Sequence, residues 1–210
     1  MEGAFSWRST LALVLLAVVC VTAAHGPAQD SRQATAAAST DPRSGKTAAF
    51  LILTLNSLGE PSLFEAAKDA TVRSYRVTLF SPVHKVGVRI ILNADGSGQV
   101  TSAVLSGTEK EVRRTTNNVS KADIDKLLDL VDKAGFWSAP SIEPEPPKSG
   151  RQPYVMDGFW WMFEGVESGS FHYVFRQNPR PTAVTEIGCY LAKNLVKVDS
   201  YAVPMAPCIK

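Results

Sequence analysis

The stretch "DGFWWMFEGVESGSFHYVFR", residues 157–176, carries seven aromatic residues, one histidine and two glutamates. Runs of alternating character flank "VESGS", so the stretch reads as a β-hairpin, and its turn decides which side chains share a face. A two-residue turn on Ser168 and Gly169 needs Ser168 at positive φ, which a residue with a Cβ resists. A type I turn over Glu167 and Ser168, with Gly169 supplying a left-handed bulge, suits these residue types better. That register pairs Val166 with Ser170, Glu164 with His172, Met162 with Val174 and Trp160 with Arg176. The other face then holds Phe159, Trp161, Phe163, Phe171, Tyr173 and Phe175, with Gly165 leaving room for Phe171. Aromatic side chains bury about 150–250 Å² each, so this face supplies much of a small core. Slipping by one residue sets Glu164 beside Tyr173 and Arg176 opposite Trp161, and the carboxylate would then need a partner.

Upstream, strand patterns repeat. "SYRVTLF" sets Tyr75, Val77 and Leu79 against Arg76 and Thr78, and "KVGVRIILN" puts Val86, Val88 and Ile90 on one face. "NADGSG" supplies a turn at Asp95 and Gly96, "QVTSAVL" continues the alternation, and residues 106–119 read as a further hairpin into a polar strand. The expectation is an antiparallel meander of about four strands. Ser120 then opens the clearest helix, with Asp123 at its positive end and Ile124, Leu127, Leu128, Val131 and Ala134 on one stripe. Gly135 is placed to end it, and Phe136 and Trp137 fold back as core anchors. Residues 138–153 are too proline-rich for regular structure. A last helix, from about Pro181 to Val198, closes the domain. Nearer the start, Ser62 with Glu65 makes a capping box for a brief helical turn, and the apolar residues 48–55 are either a buried strand or a short helix. The fold class expected is α+β, an antiparallel sheet of meander plus C-terminal hairpin packed against two helices.

The beginning of the chain has a different character. Arg8 precedes an apolar run at residues 11–21, of secretory length and too short to span a bilayer comfortably. Val21 and Ala23 stand at small-residue spacing for cleavage after Ala23 or Ala24, and an uncleaved anchor is the alternative. Val19 before Cys20 argues against lipidation. Residues 1–23 are thus read as a signal peptide, 24–47 as a flexible Ala-, Ser-, Thr- and Pro-rich spacer, and 48–210 as one α+β domain. The location expected is exported, periplasmic or extracellular, with membrane attachment only through an uncleaved N-terminal segment. Without Cys20 two cysteines remain, Cys189 and Cys208, and an oxidising compartment permits one disulfide between them. Spacing alone does not show that their Cα atoms approach.

Composition excludes some functions. Hydrophobic residues make up 45% of 210 and charged residues 20%, with 22 basic against 20 acidic, which is globular and carries no nucleic-acid footprint. In "KEVRR" the basic residues flank Glu111, as on a solvated strand or loop. His25, His84 and His172 are scattered, so a zinc site lacks ligands. "NADGSG" resembles the start of a calcium loop, but its twelfth position is Val104. "GVESG" places its serine at the wrong offset for a nucleophile elbow, phosphate cradles are absent, and no cofactor is expected. The sequon at Asn118 is explained by Ser120 as a helix cap.

One candidate pair remains. The bulged register brings Glu164 and His172 to about 5 Å at Cβ, either as a general acid–base couple beside an anion-binding Arg176 or as a cross-strand salt bridge near a Trp160–Arg176 cation–π contact. Catalytic candidates are therefore Glu164 and His172, and binding candidates Trp160, Glu164, His172 and Arg176.

"LGEPSLFEAAKD", "LNADGSGQV", "VSKADIDKLLDLVDKAGFW" and "DGFWWMFEGVESGSFHYVFRQNPRP" occur in this order. This resembles a group of small uncharacterised exported or membrane-anchored bacterial proteins. Their pattern has a Gly-Glu-Pro-Ser-Leu segment, an Asp-Gly strand turn, a helix ending in Gly-Phe-Trp, and an Asp-Gly, Trp, Glu-Gly, Tyr-His hairpin. The likeness spans residues 58–198, with "FHY" standing where the pattern has Tyr-His. It implies fold and location, and no activity comes with it. The function expected is an extracytoplasmic binding or interaction module of unknown ligand and partner. The alternative is a secreted hydrolytic enzyme using Glu164 and His172.

Overall fold

The computed structural model describes residues 46–107, 109–142, 158–198 and 208. The expected signal peptide and nearly all of the expected spacer lie outside them. The architecture is α+β, built on one six-stranded antiparallel sheet in the order β4-β3-β2-β1-β5-β6. Its strands are β1 (Ser74–Phe80), β2 (His84–Leu92), β3 (Gly98–Ser106), β4 (Arg113–Val119), β5 (Trp160–Glu167) and β6 (Ser170–Gln177). The meander β1 to β4 follows the strands read from the sequence, alternating in β1 to β3 and polar in β4. The C-terminal hairpin joins it by pairing β5 with β1, so the middle of the sheet is made from distant parts of the chain.

One face carries the main core. Tyr75, Val77, Leu79, Val86, Val88, Ile90, Trp161, Phe163 and Val174 are buried beneath α3 (Lys121–Lys133) and α4 (Ala183–Cys189), the latter continued by a π-helical segment over Tyr190–Leu195. Helix α3 has its Ser120 cap, which accepts from the Asp123 amide, and it buries Ile124, Leu127 and Val131. Gly135 (φ 58°) leads into a 3-10 turn at Phe136–Ser138 that sends the Phe136 ring into the core, 4.8 Å from the Phe163 ring.

The other face is covered as well. Residues 48–55, read from sequence as strand or helix, lie within α1 (Lys46–Ser57). The short α2 (Leu63–Ala66) follows, capped by Ser62, which accepts from the Glu65 amide. Leu63 packs with Val166, Phe171 and Tyr173, while Phe80, Met162, Leu55 and Trp160 form a second small cluster. This double cover overturns the expected hairpin. Ser168 (φ 51°) and Gly169 (φ 75°) form a two-residue turn with both central residues left-handed, and Glu167 pairs with Ser170. Glu164 therefore opposes Tyr173, and Gly165 opposes His172. The aromatic residues do not collect on one side: Trp161 and Phe163 enter the main core, while Phe171, Tyr173 and Phe175 line the face under α2. With both faces buried, segregating the rings gains nothing, and a left-handed Ser168 is tolerated at a cost of about 1–2 kcal/mol. The space at Gly165 also goes to another ring: an added Cβ would meet Phe136 Cε1 at 2.7 Å and Tyr75 at 3.0 Å, and Phe171 lies on the opposite face.

Candidate functional site

The observed register separates the expected pair. Glu164 points to the α2 side of the sheet and His172 to the α3 side, so they cannot form an acid–base couple or a salt bridge. Trp160 and Arg176 part in the same way: Trp160 stacks on Phe80 at 5.5 Å, and Arg176 lies opposite Trp161.

Each of the four has a local task. His172 Nε2 is 3.0 Å from the Ala139 carbonyl, which can only accept, so this nitrogen carries the proton and donates. Burial lowers the pKa of His172, the Ala139 bond opposes that, and the charge of Arg176 lowers it further. Arg176 donates to the carbonyls of Phe175 at 2.7 Å and Pro140 at 3.0 Å. The Phe175 amide donates to Ser141, and Ile142 forms a parallel bridge with Phe175. His172 and Arg176 thus help to fasten residues 139–142 against β6 and cover part of that edge of the sheet.

Glu164 belongs to a buried charge cluster that sequence reasoning did not reach. On β1, Arg76 stands directly between Glu164 on β5 and Arg89 on β2. Arg76 Nε donates to Glu164 Oε2 at 2.7 Å, and Nη1 donates to the Pro61 carbonyl at 2.6 Å. Directly opposed like charges repel, and the Arg76–Arg89 pair is relieved by Glu60 from the loop between α1 and α2. Glu60 Oε2 lies 2.9 Å from Arg89 Nε and 3.5 Å from Arg76 Nη1. Arg114 reaches in from β4 to Glu60 Oε1 at 3.3 Å and also donates to the Leu58 carbonyl. Small residues make the space. In the row Thr78, Gly87, Ala103, Arg114 across four strands, Gly87 lies 3.4 Å, from its would-be Cβ, from both Glu60 Cγ and Leu58 Cδ1. The cluster latches residues 58–63 onto the sheet. Its carboxylates face guanidinium groups and not solvent.

The two sheet edges differ sharply. The β6 edge is partly covered by residues 139–142, which bridge it at Phe175. On β4, six of seven residues are exposed and only Val119 is buried. Among the described residues, no backbone hydrogen bond reaches β4 outside its ladder with β3. Sequence signalled this only as a polar strand, because edge position depends on which strands the chain brings together later. Among the described residues no group of three or more His, Cys, Asp or Glu could hold a metal ion, and no helix is long and apolar enough to cross a membrane. Cys189 and Cys208 are joined by a disulfide, with Cα atoms 5.5 Å apart. No family model, curated protein or solved structure matches the chain.

Proposed function

We propose that this chain is an extracytoplasmic binding or interaction module, and that its binding element is the open edge of β4. The observation that carries the reading is the asymmetry of the sheet: among the described residues, one edge is bridged by the chain itself at Phe175, while six of the seven residues of the other edge strand are exposed to solvent. An uncovered edge offers a row of unpaired amides and carbonyls, to which an extended segment of another chain adds as a strand. The apolar run at residues 11–21 and the Cys189–Cys208 bridge support an exported location, since disulfides persist in oxidising compartments. A hydrolytic role through Glu164 and His172 has lost its geometry, because the two side chains occupy opposite faces.

The test is an array of immobilised extended peptides probed with the wild-type protein and with the double variant Thr115→Lys, Asn117→Lys. Lysines on an edge discourage strand addition. Binders whose signal disappears in the variant, and which protect the amides of residues 113–119 from hydrogen exchange, support the reading. Binders unaffected by the lysines, or protection confined to other elements, overturn it.

A further inference from the structure

Resting on the edge reading above, we infer that the strand added to β4 is β4 of a second copy of this chain, antiparallel and centred on Thr116. The sequence of the strand, "RRTTNNV", has both its charges at one end. Arg113 and Arg114 are followed by five uncharged residues with no proline and no lysine, so the usual devices that blunt an edge are missing over most of its length. A parallel copy in register would set each arginine beside its own duplicate, and like charges directly opposed are destabilising. An antiparallel copy sends the arginine end of each strand to the uncharged end of the other.

The register follows from geometry. Directly opposed residues in an antiparallel pair share a face, so a two-fold axis perpendicular to the sheet must set one residue opposite its own duplicate. Of the possible centres, Thr116 overlaps all seven residues. It opposes Thr116 to its duplicate, Thr115 to Asn117, Arg114 to Asn118, and Arg113 to Val119. Threonine pairs opposed across strands are favourable, and no charge meets a like charge. Arg114 is already held on its own sheet by Glu60 and the Leu58 carbonyl, which keeps its side chain in place over the α1 side. The two six-stranded sheets then become one continuous sheet. Seven residues a side is well short of the roughly 20–30 residues of a stable interface, so the dimer exchanges with monomer and forms at high concentration.

Sedimentation equilibrium across a wide concentration range, on the disulfide-intact protein, tests this. Wild type is expected to shift from monomer to dimer. Thr116→Lys and Thr116→Glu each bring like charges together at the axis, so each alone should stay monomeric, while an equimolar mixture should regain the dimer as a heterodimer. Thr116 is exposed, with its hydroxyl 3.1 Å from the Thr101 hydroxyl, and the mixture experiment is itself a check that both variants are folded. A monomeric wild type at every concentration, or a Thr116→Lys dimer as strong as wild type, overturns the inference. If wild type is monomeric but peptides still add at β4, the partner is another chain and the edge reading stands. If neither occurs, both fall.

Discussion

Arg76 and Glu164 face each other across β1 and β5 with Nε 2.7 Å from Oε2, and their side chains are 0% and 5% exposed. Breaking a buried pair by removing one partner leaves a charge without compensation, which costs about 3–5 kcal/mol. Arg76→Met strands Glu164 and also frees the Pro61 carbonyl and one side of Glu60. Glu164→Leu leaves Arg76 its contacts to Pro61 and Glu60. The expected order in denaturant unfolding is therefore Arg76→Met less stable than Glu164→Leu. The double variant should be less damaged than the sum of the two, since an apolar pair of similar volume removes both desolvated charges. Additive losses would show that the pair is not coupled.

The turn makes a prediction of opposite sign. Ser168 stands at φ 51° beside Gly169 at φ 75°, the geometry that Asn-Gly favours. Ser168→Asn should stabilise the protein by about 0.5–1 kcal/mol, because asparagine enters the left-handed region more readily than serine. Gly169→Val should destabilise it, since a β-branched residue resists positive φ. Thermal unfolding separates the two possible registers. In a type I turn with a bulge, Ser168 has negative φ, so asparagine there would bring no gain.

These two residues also explain what was legible. Helix α3 was, from Ser120 to Gly135, because a cap, an apolar stripe and a stop signal are all local. So were β1 to β3, whose period-two alternation needs no knowledge of the partner strand, and β4 as a polar strand. The hairpin register was not, because the aromatic pattern assumed one buried face, and α1 and α2 cover the second. In the shifted register Glu164 does need a partner, and it has one. That partner, Arg76, lies 88 residues away on a strand where it had read as an outward polar residue. Glu60 was hidden for the same reason: a glutamate in a Gly-Glu-Pro loop looks solvated until the sheet rises beneath it. The candidate site was misjudged at its register, and the open edge could be recognised only once the strand order was known.

The disulfide should matter to stability because of what it closes. Cys189 and Cys208 are 19 residues apart in sequence, and cross-linking a loop of that size removes denatured-state entropy worth about 3 kcal/mol. Cys208 also brings its carbonyl to within 2.5 Å of Lys193 Nζ. A Cys189→Ser, Cys208→Ser variant is expected to unfold at lower denaturant than the oxidised protein, and reducing agent should bring wild type towards the variant. A wild type insensitive to reduction, with the variant equally stable, would remove the bridge from any account of this fold.

His172 carries the pH prediction. Burial is the largest cause of its lowered pKa, so the folded protein binds its proton less readily than the unfolded chain does. Where the unfolded state holds more protons, stability rises with pH. The contribution of His172 is thus fully present above the ordinary histidine pKa of about 6.5 and is lost as pH falls through the lower folded value. The charged groups around it act in the same direction: the nearby Arg176 disfavours a second cation, and only the Ala139 carbonyl favours one. Gln can keep a donor directed at Ala139 without a titrating ring. His172→Gln should therefore flatten the part of the stability profile just below about pH 6.5 while leaving stability near pH 8 little changed. Denaturant unfolding at a series of pH values reads this directly. A variant whose profile keeps the wild-type slope in that window would mean that the titration belongs to another group, and that the tether from β6 to residues 139–142 does not depend on a neutral imidazole.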